Sequence, residues 1–578
     1  MGTILYLNGN IYTMDATQPR AQAMAIDSTS GYILAVGTDD EIRRLGGQHS
    51  ELVDLRRRTV LPGFIDAHIH LLGTAYRAHY IDATGSTGED EVANLVRERA
   101  AQTPKGHWIL GGQWDKNLWP AGNFPTKASL DAAAPGHPVA LWSKDGHLLW
   151  VNSPALQRAA ITPETPEPAN GAILRDGSGK PTGILQEQEA TNLVYKVIDQ
   201  SSDPALTRML VQRALLELQK SGITTIHDIE GMDALRLFQQ LRDEGELGVR
   251  VQMILPRQLL PELRETWHPP GVPLHVEGTQ GNVAWHPPGV PLHVEGTQGN
   301  VVAPLVGARE FDDMLRLGGI KIFADGTLGS QTAAMLESFE GSPNNYGILT
   351  LSEQEMNETV STAAEMGLSI AIHAIGDRAA HVALNSIEKA QQYLANNSAT
   401  SRDLSGLRYR VEHVQLITPE DLERMHRLGV VASVQPFHAV ADRDIAERYW
   451  GKRHRHAYAY RTMQQMGIPL ALGSDAPVET FDPLRILYAA TTRRDNATPR
   501  RPPWLPDQAL PIAEALWGYT LGAAYAGAEE KRKGSLTAGK LGDAVVLREN
   551  ILDVPQEKMP ENGVQATILG GKVVYGEV

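Results

Sequence analysis

LPGFIDAHIH, residues 61–70, is the stretch on which the reading of this chain turns. Apolar residues fill its first half, and Asp66, His68 and His70 close it. That texture predicts a buried strand that ends in polar groups. Side chains alternate faces along a strand, so residues two apart point the same way. His68 and His70 therefore project together, as two ligands of one ion must, with Asp66 on the same face. Taken alone, the pair also fits two buried histidines satisfied by hydrogen bonds.

Outward from this stretch, seven more runs share its texture. They are GITTIHDI (222–229), VRVQMIL (249–255), GGIKIFADG (318–326), LSIAIHAIGD (368–377), RYRVEHVQ (408–415), GVVASVQP (429–436) and IPLALGSDAP (468–477). Helix-like stretches separate them. Short apolar strands alternating with helices predict an α/β fold with a parallel sheet, and eight of them predict a closed (β/α)8 barrel of the TIM type. The barrel is expected over residues 61–529. Residues 1–60 and 530–578 read as short strands joined by Gly, Asp and Asn turns, and are expected to pair into one small β-sandwich. The long gap after the first run predicts an insertion or lid over residues 75–215. One oddity lies between the third and fourth runs, where WHPPGVPLHVEGTQGNV occurs at 267–283 and again at 285–301. Two copies are too few for a solenoid, and the Pro-rich repeat orients no ligand, so its histidines receive no role.

Composition narrows the function. The 578 residues carry 53 Lys and Arg against 68 Asp and Glu, a net charge of −15 that gives a nucleic-acid role little support. No cysteine is present, which excludes disulfides, thiolate-held zinc and a thiol nucleophile. The first residues, MGTILYLNGNIYTMD, lack a basic segment followed by an apolar one, and no apolar run reaches the ~18 residues of a membrane span. A cytoplasmic protein is expected, acting on a small molecule as a homodimer, with no nucleic-acid or membrane partner.

The chemistry accumulates along the predicted barrel. Lys321, His373, His413 and Asp475 each fall at or near the C-terminal end of a predicted strand, the end where barrel active sites are built. Neutral imidazoles with a carboxylate suit a zinc-like ion with an open position for water.

The order HxH, Lys, His, His, Asp on successive strands resembles the amidohydrolase superfamily. Finer motifs resemble its YtcJ-like subgroup (amidohydrolase family 3), which includes N-substituted formamide deformylases. They are LPGFIDAHIHL (61–71), DGHLLWVNSPAL (145–156), PTGILQE (181–187), GITTIHD (222–228), GIKIFADGTLGSQTA (319–333), HAIGDRA (373–379), VEHVQ (411–415), SVQPFH (433–438), GSDAPVETFDPL (473–484) and GSLTAGKLGDAVVL (534–547). The resemblance spans essentially the whole chain, apart from the tandem segment. It implies one or two Zn2+ ions, or other divalent metals. His68, His70 and Asp475 would hold the first, and His373 and His413 the second. Lys321 would carry a carboxyl group and bridge the two. An ordinary Lys321 paired with Asp325 is the alternative. Asp475, Lys321 and His413 would be catalytic, with Asp475 taking a proton from water and delivering it to the leaving nitrogen.

Contacts to substrate are expected from Trp114, Asp115, His147 and Asn152 of the insertion and from His438. The aromatic density around them fits either a pocket wall or the insertion's own core. Glu412, Asp377 and above all Asp66 are candidates to orient ligands, while Lys144, Arg410 and Glu187 receive no role. The reading is a metal-dependent hydrolase cleaving an amide, N-formyl or related C–N bond. Deamination, ester hydrolysis or isomerisation on the same barrel, or a non-catalytic regulator built on it, are the alternatives.

Overall fold

All eight runs form strands of one parallel sheet, each next to its neighbours in chain order. They are β1 (Phe64–Ile69), β2 (Ile223–Asp228), β3 (Arg250–Pro256), β4 (Leu315–Phe323), β5 (Ser369–Ala374), β6 (Tyr409–His413), β7 (Val431–Val434) and β8 (Leu470–Leu472). The computed structural model describes residues 2–77, 79–120, 122–198, 204–266, 312–396, 406–498 and 501–578. The tandem segment 267–301, with His268, His275, His286 and His293, lies outside the described residues.

The sheet nearly closes on itself. β8 meets β1 through a parallel bridge between Ile69 and Ala476. Asp475 N–H donates to His68 O (2.7 Å) and His70 N–H donates to Ala476 O (2.8 Å) across that seam. Both faces of the sheet are covered, which is why the strands read as nearly continuous apolar runs. Ile226, Ile322, Ile372 and Val411 share one core with Phe238, Val360, Ala383 and Ile387 of the helices Met232–Asp243, Glu353–Glu365 and Asp377–Asn396. The alternate positions turn inward, and there the sequence becomes polar. Lys321, His373, Arg410 and Glu412 are all buried.

The two chain ends build two further sheets. One orders residues 33–37, 23–27, 3–7 and 51–54, and the other orders 572–576, 564–569, 544–547, 59–62, 10–12 and 20–21. Ile4, Tyr6, Met24 and Ile26 share a core with Val60, Val546, Ala566 and Ile568, so remote parts of the chain bury one another's apolar faces. The region after β1 holds a six-stranded sheet ordered 172–175, 181–186, 148–151, 139–143, 109–114 and 81–82. Separate apolar clusters cover it, one built around Trp114, Trp119 and Trp150 and the other around Leu149, Leu156 and Leu185. Among the described residues, no helix is long and apolar enough to cross a membrane.

One buried ion pair ties the barrel to the chain ends. Arg250 on β3 donates from Nε and Nη2 to the two carboxylate oxygens of Asp543 (2.6 and 2.8 Å). Removing one partner of a buried pair leaves the other charge uncompensated, which costs about 3–5 kcal/mol. Asp543→Asn is therefore expected to lower the denaturant midpoint by a loss of about 3 kcal/mol, measurable by far-ultraviolet circular dichroism in urea.

Candidate metal centre and active site

The β1–β8 seam sets the first three side chains. Asp66 Oδ1 accepts from His68 N (3.1 Å) and Ser474 N (2.9 Å), clasping both strands. Gly473 lets them approach, since a Cβ there would lie 2.6 Å from His68 N. His68 Nδ1 lies 2.6 Å from Glu412 Oε2, and His70 Nδ1 lies 2.9 Å from Ile229 O. Acceptors at both Nδ1 atoms put the protons there and leave both Nε2 lone pairs free. Each Nε2 lies 3.4 Å from Asp475 Oδ1. His68 Nε2 is buried with no hydrogen-bond partner. Asp475 reaches this place because its backbone adopts φ +59°, a strained region for a non-glycine residue.

The other carboxylate oxygen faces a second group. Asp475 Oδ2 lies 3.6 Å from His438 Nε2 and 3.9 Å from His413 Nδ1. His413 also has φ +73°, which breaks the strand alternation and brings it inside beside Glu412. The ligand atoms of His68, His70 and Asp475 all lie within 4.8 Å of one another, and so do those of His413, His438 and Asp475. His373 falls outside both groups, although its ring centroid is 4.5 Å from that of His413. Its Nε2 donates to Gly326 O (3.1 Å), which uses that nitrogen. His373 thus lies beside His413, while His438 and His413 form the group that shares Asp475.

Lys321 projects into the same space. Its Nζ is buried without a hydrogen-bond partner and lies 4.9 Å from the Phe323 ring centroid. Asp325 does not pair with it, because the Asp325 oxygens accept backbone N–H groups of Ala334, Ile375 and Gly376. Burial lowers the Lys321 ammonium to about 8, against the opposing pull of Glu412 and Asp475. Burial likewise holds His68, His373 and His413 well below the ordinary imidazole range. Burial would raise Asp475, but His68, His70 and His438 outweigh it and hold the carboxyl well below its usual range. Neutral imidazoles with open lone pairs, one ionised carboxylate and an unpartnered buried amine are a donor set that fits a zinc-like ion.

Above this floor lies a cavity of about 1380 Å³, including its mouth, walled by barrel and insertion together. His147 and Asp115 line it. Trp114 borders it too, but its ring is fully buried, donates Nε1–H to Leu141 O (2.9 Å) and packs edge-on against Trp150. Its bulk belongs to the insertion's core. Asn152 is not a cavity residue. It caps the helix Ser153–Arg158, accepting from Ala155 N (3.1 Å) and Val139 N (2.9 Å) and donating to His137 O (2.8 Å). Two residues left without a role find one here. Lys144 pairs with Glu479 across the cavity (2.6 Å), and Glu187 accepts from His147 Nδ1 (2.8 Å). Burial would lower His147, but the Glu187 carboxylate outweighs it and raises the imidazole to about 9.

With this geometry in place, comparison decides the family. The profile of the amidohydrolase family matches residues 51–575. The chain belongs to the amidohydrolase family. It is 30% identical to Protein LONG AFTER FAR-RED 3 of Arabidopsis thaliana over 99% of this chain and 91% of that one. It is 26% identical to the N-substituted formamide deformylase of Arthrobacter pascens over 100% and 98% of the two chains. A crystal structure of an uncharacterized metal-dependent hydrolase from Pyrococcus horikoshii OT3 superposes with a TM-score of 0.69 at 25% identity, covering 96% of this chain and 99% of that one. This amidohydrolase is accordingly a hydrolase with a candidate His/Asp metal site.

The amidohydrolase also buries a supporting chain, of which the sequence offers only Glu412 as a candidate to orient ligands. Arg410 Nε donates to Glu412 Oε1, and Arg410 Nη2 donates to Ser433 Oγ (2.8 Å) and Ala67 O (2.5 Å). Glu412 in turn fixes His68, while Gln435 Oε1 accepts from His413 Nδ1 (2.8 Å). Spacing could have added Arg410, because it alternates with Glu412 on β6 and so shares its inward face. Gln435 gives no such signal. Outer partners of this kind raise ligand basicity, and their loss costs 10–100-fold in metal affinity. Glu412→Gln is expected to weaken the binding of any divalent metal at this candidate site by about that factor. Chelator competition on protein with a native circular dichroism spectrum measures it.

Proposed function

We propose that this amidohydrolase cleaves an amide, N-formyl or related C–N bond with water as nucleophile. The observation that carries the reading is the convergence of the His68 and His70 Nε2 atoms on the Asp475 carboxylate, at the floor of a cavity large enough for a small substrate. The N-substituted formamide deformylase supports N-formyl compounds as the first class to try.

His68, His70 and Asp475 would hold a zinc-type ion, and His413 and His438 supply the second group of donors. Such an ion, when bound, brings a water's pKa to about 7 and so supplies a nucleophile at neutral pH. Asp475 presents two oxygens to two different groups, Oδ1 to His68 and His70 and Oδ2 to His413 and His438. Oδ2 is the atom placed to take the proton as water adds to the carbonyl carbon. The same carboxyl then returns that proton to the departing nitrogen, so the C–N bond breaks with a neutral amine leaving. Glu412 keeps the His68 Nδ1 proton in place throughout.

Lys321 in this reading carries a carboxyl group taken from carbon dioxide. Only the neutral amine reacts, and an amine lowered to about 8 is partly neutral near physiological pH. The product is an anionic oxygen donor where a bare ammonium would repel a cation. Protein equilibrated with 13C-bicarbonate is expected to give a carbamate carbon resonance that Lys321→Ala removes; a spectrum identical with and without Lys321 overturns this step.

A panel of N-formyl, N-acyl and aminoacyl amides tests the reaction itself. Release of amine from at least one member is expected, with metal analysis giving about one to two equivalents per chain. Asp475→Asn should lower kcat by about 10²–10⁴-fold with the native fold retained. Undiminished turnover in that variant removes Asp475 from the chemistry.

A further inference from the structure

A buried lysine of the insertion lines the main cavity with its charge unanswered. Lys116 opens the short turn Lys116–Leu118, directly after the insertion strand Ile109–Trp114. Only 4% of its surface is exposed. Its Nζ reaches Asn117 Oδ1 at 3.4 Å, and that oxygen already accepts from Tyr449 Oη at 2.9 Å. An ammonium carries three donors, so two of them make no hydrogen bond among the described residues. The rings of Phe124 and Tyr449 approach Nζ, with centroids at 4.8 and 5.7 Å.

The charges around it are already committed. Asp115 caps the same turn, its Oδ1 accepting from Asn117 N (2.9 Å) and Asn117 Nδ2 (2.8 Å). Lys144, the insertion's other lysine on this cavity, pairs with Glu479 (2.6 Å). Arg77 donates to Pro477 O (2.6 Å) and stands 3.6 Å from Asp82. Asp442 accepts from Tyr458 Oη (2.7 Å). Apart from Lys321 on the barrel floor, Lys116 is the one lysine or arginine lining this cavity without a counter-charge among the described residues. Ring faces recover part of the cost of burying an ammonium, and an opposite charge recovers more.

Lysine is almost never buried this far without a partner, and this one borders the space that substrate fills. We propose that Lys116 binds a carboxylate carried by the substrate away from the bond being cleaved. This rests on the C–N hydrolysis reading above, and narrows its substrates to amides that bear an acid group. One ammonium matches one negative charge. A doubly charged phosphate would leave a charge over, on a wall that already carries Asp115, Asp442 and Glu479. The metal-ligand candidates stand on the barrel and Lys116 on the insertion, so a substrate that bridges the cavity meets both. The ammonium donates to the carboxylate oxygens, and no proton is transferred. Lys116 is a binding residue with no part in the chemical step.

Two probes of equal size that differ by one charge isolate this contact. They are para-formamidobenzoate and para-formamidobenzamide; where the panel favours another acyl group, the same pair is made with that group. The native enzyme is expected to prefer the carboxylate by about 10–100-fold in kcat/KM, chiefly through KM. Lys116→Met is expected to bring the two probes within about 3-fold of each other, the loss falling on the carboxylate. A lysine needed only for packing would lower both alike. Lys116→Arg keeps the charge and should keep a preference for the carboxylate. Lys116→Gln carries the test should Lys116→Met lose its native circular dichroism spectrum. A native enzyme indifferent to the charge, or equal losses on both probes in the uncharged variant, overturns the proposal while leaving C–N hydrolysis standing. A native enzyme that cleaves no amide of the panel overturns both.

Discussion

One seam decides whether this molecule has a site at all. Eight strands can form a parallel sheet without placing the first against the last, and His68 and Asp475 are far apart in sequence. Asp66 closes that gap by accepting from His68 N on one strand and Ser474 N beyond the other. The bond from Asp475 N to His68 O then fixes Asp475 against His68 and His70. Asp66 is wholly buried, and burial pushes its carboxyl up to about 7 even with these donors. A group that costly to bury is retained because the geometry of three site residues depends on it.

From the seam, order spreads through charge. Arg410, Glu412 and His68 form a chain inside the barrel, where an apolar filling would be simpler. Buried pairs of this type add little net stability, because desolvation offsets their attraction. Their value is directional. Glu412 demands the proton at His68 Nδ1, and Arg410 demands the charge on Glu412, so the lone pair at Nε2 is specified two residues away from the cavity. The same logic recurs in the insertion, where Asp145 and Glu187 specify the pose of His147.

Much of this was readable in the amino-acid order, and the parts that were not share a cause. β1 to β8 appear as apolar runs because a parallel sheet covered on both faces leaves no polar alternation to confuse them. His68 and His70 follow from the two-residue period. His413 does not, since alternation from Glu412 would turn it outward, and only φ +73° brings it in. Asp475 and Glu187 depend on the same kind of backbone exception. Local strain of this sort is set by tertiary packing and leaves no mark on composition. Asn152 misled for the opposite reason: an asparagine before Ser-Pro is an ordinary helix cap, and its place in a recognisable motif reflects that local duty. His438 lay in view at a strand end, but its approach to Asp475 depends on how Gln435 and the helix Pro436–Ala441 turn away from β7.

The insertion then explains the division of labour. Its sheet carries its own apolar clusters on separate faces, including the three mutually packed tryptophans. Polar contacts join it to the barrel. Lys144 reaches Glu479 beyond β8, Asp145 reaches Thr327 and Ser330 beyond β4, and Asn117 accepts from Tyr449 Oη (2.9 Å). Glu479, Thr327 and Ser330 lie on loops beyond barrel strands, and Tyr449 lies on the helix Arg443–Trp450. The barrel thus supplies the floor of the cavity and the insertion its far wall, so the two carry separate tasks on one scaffold.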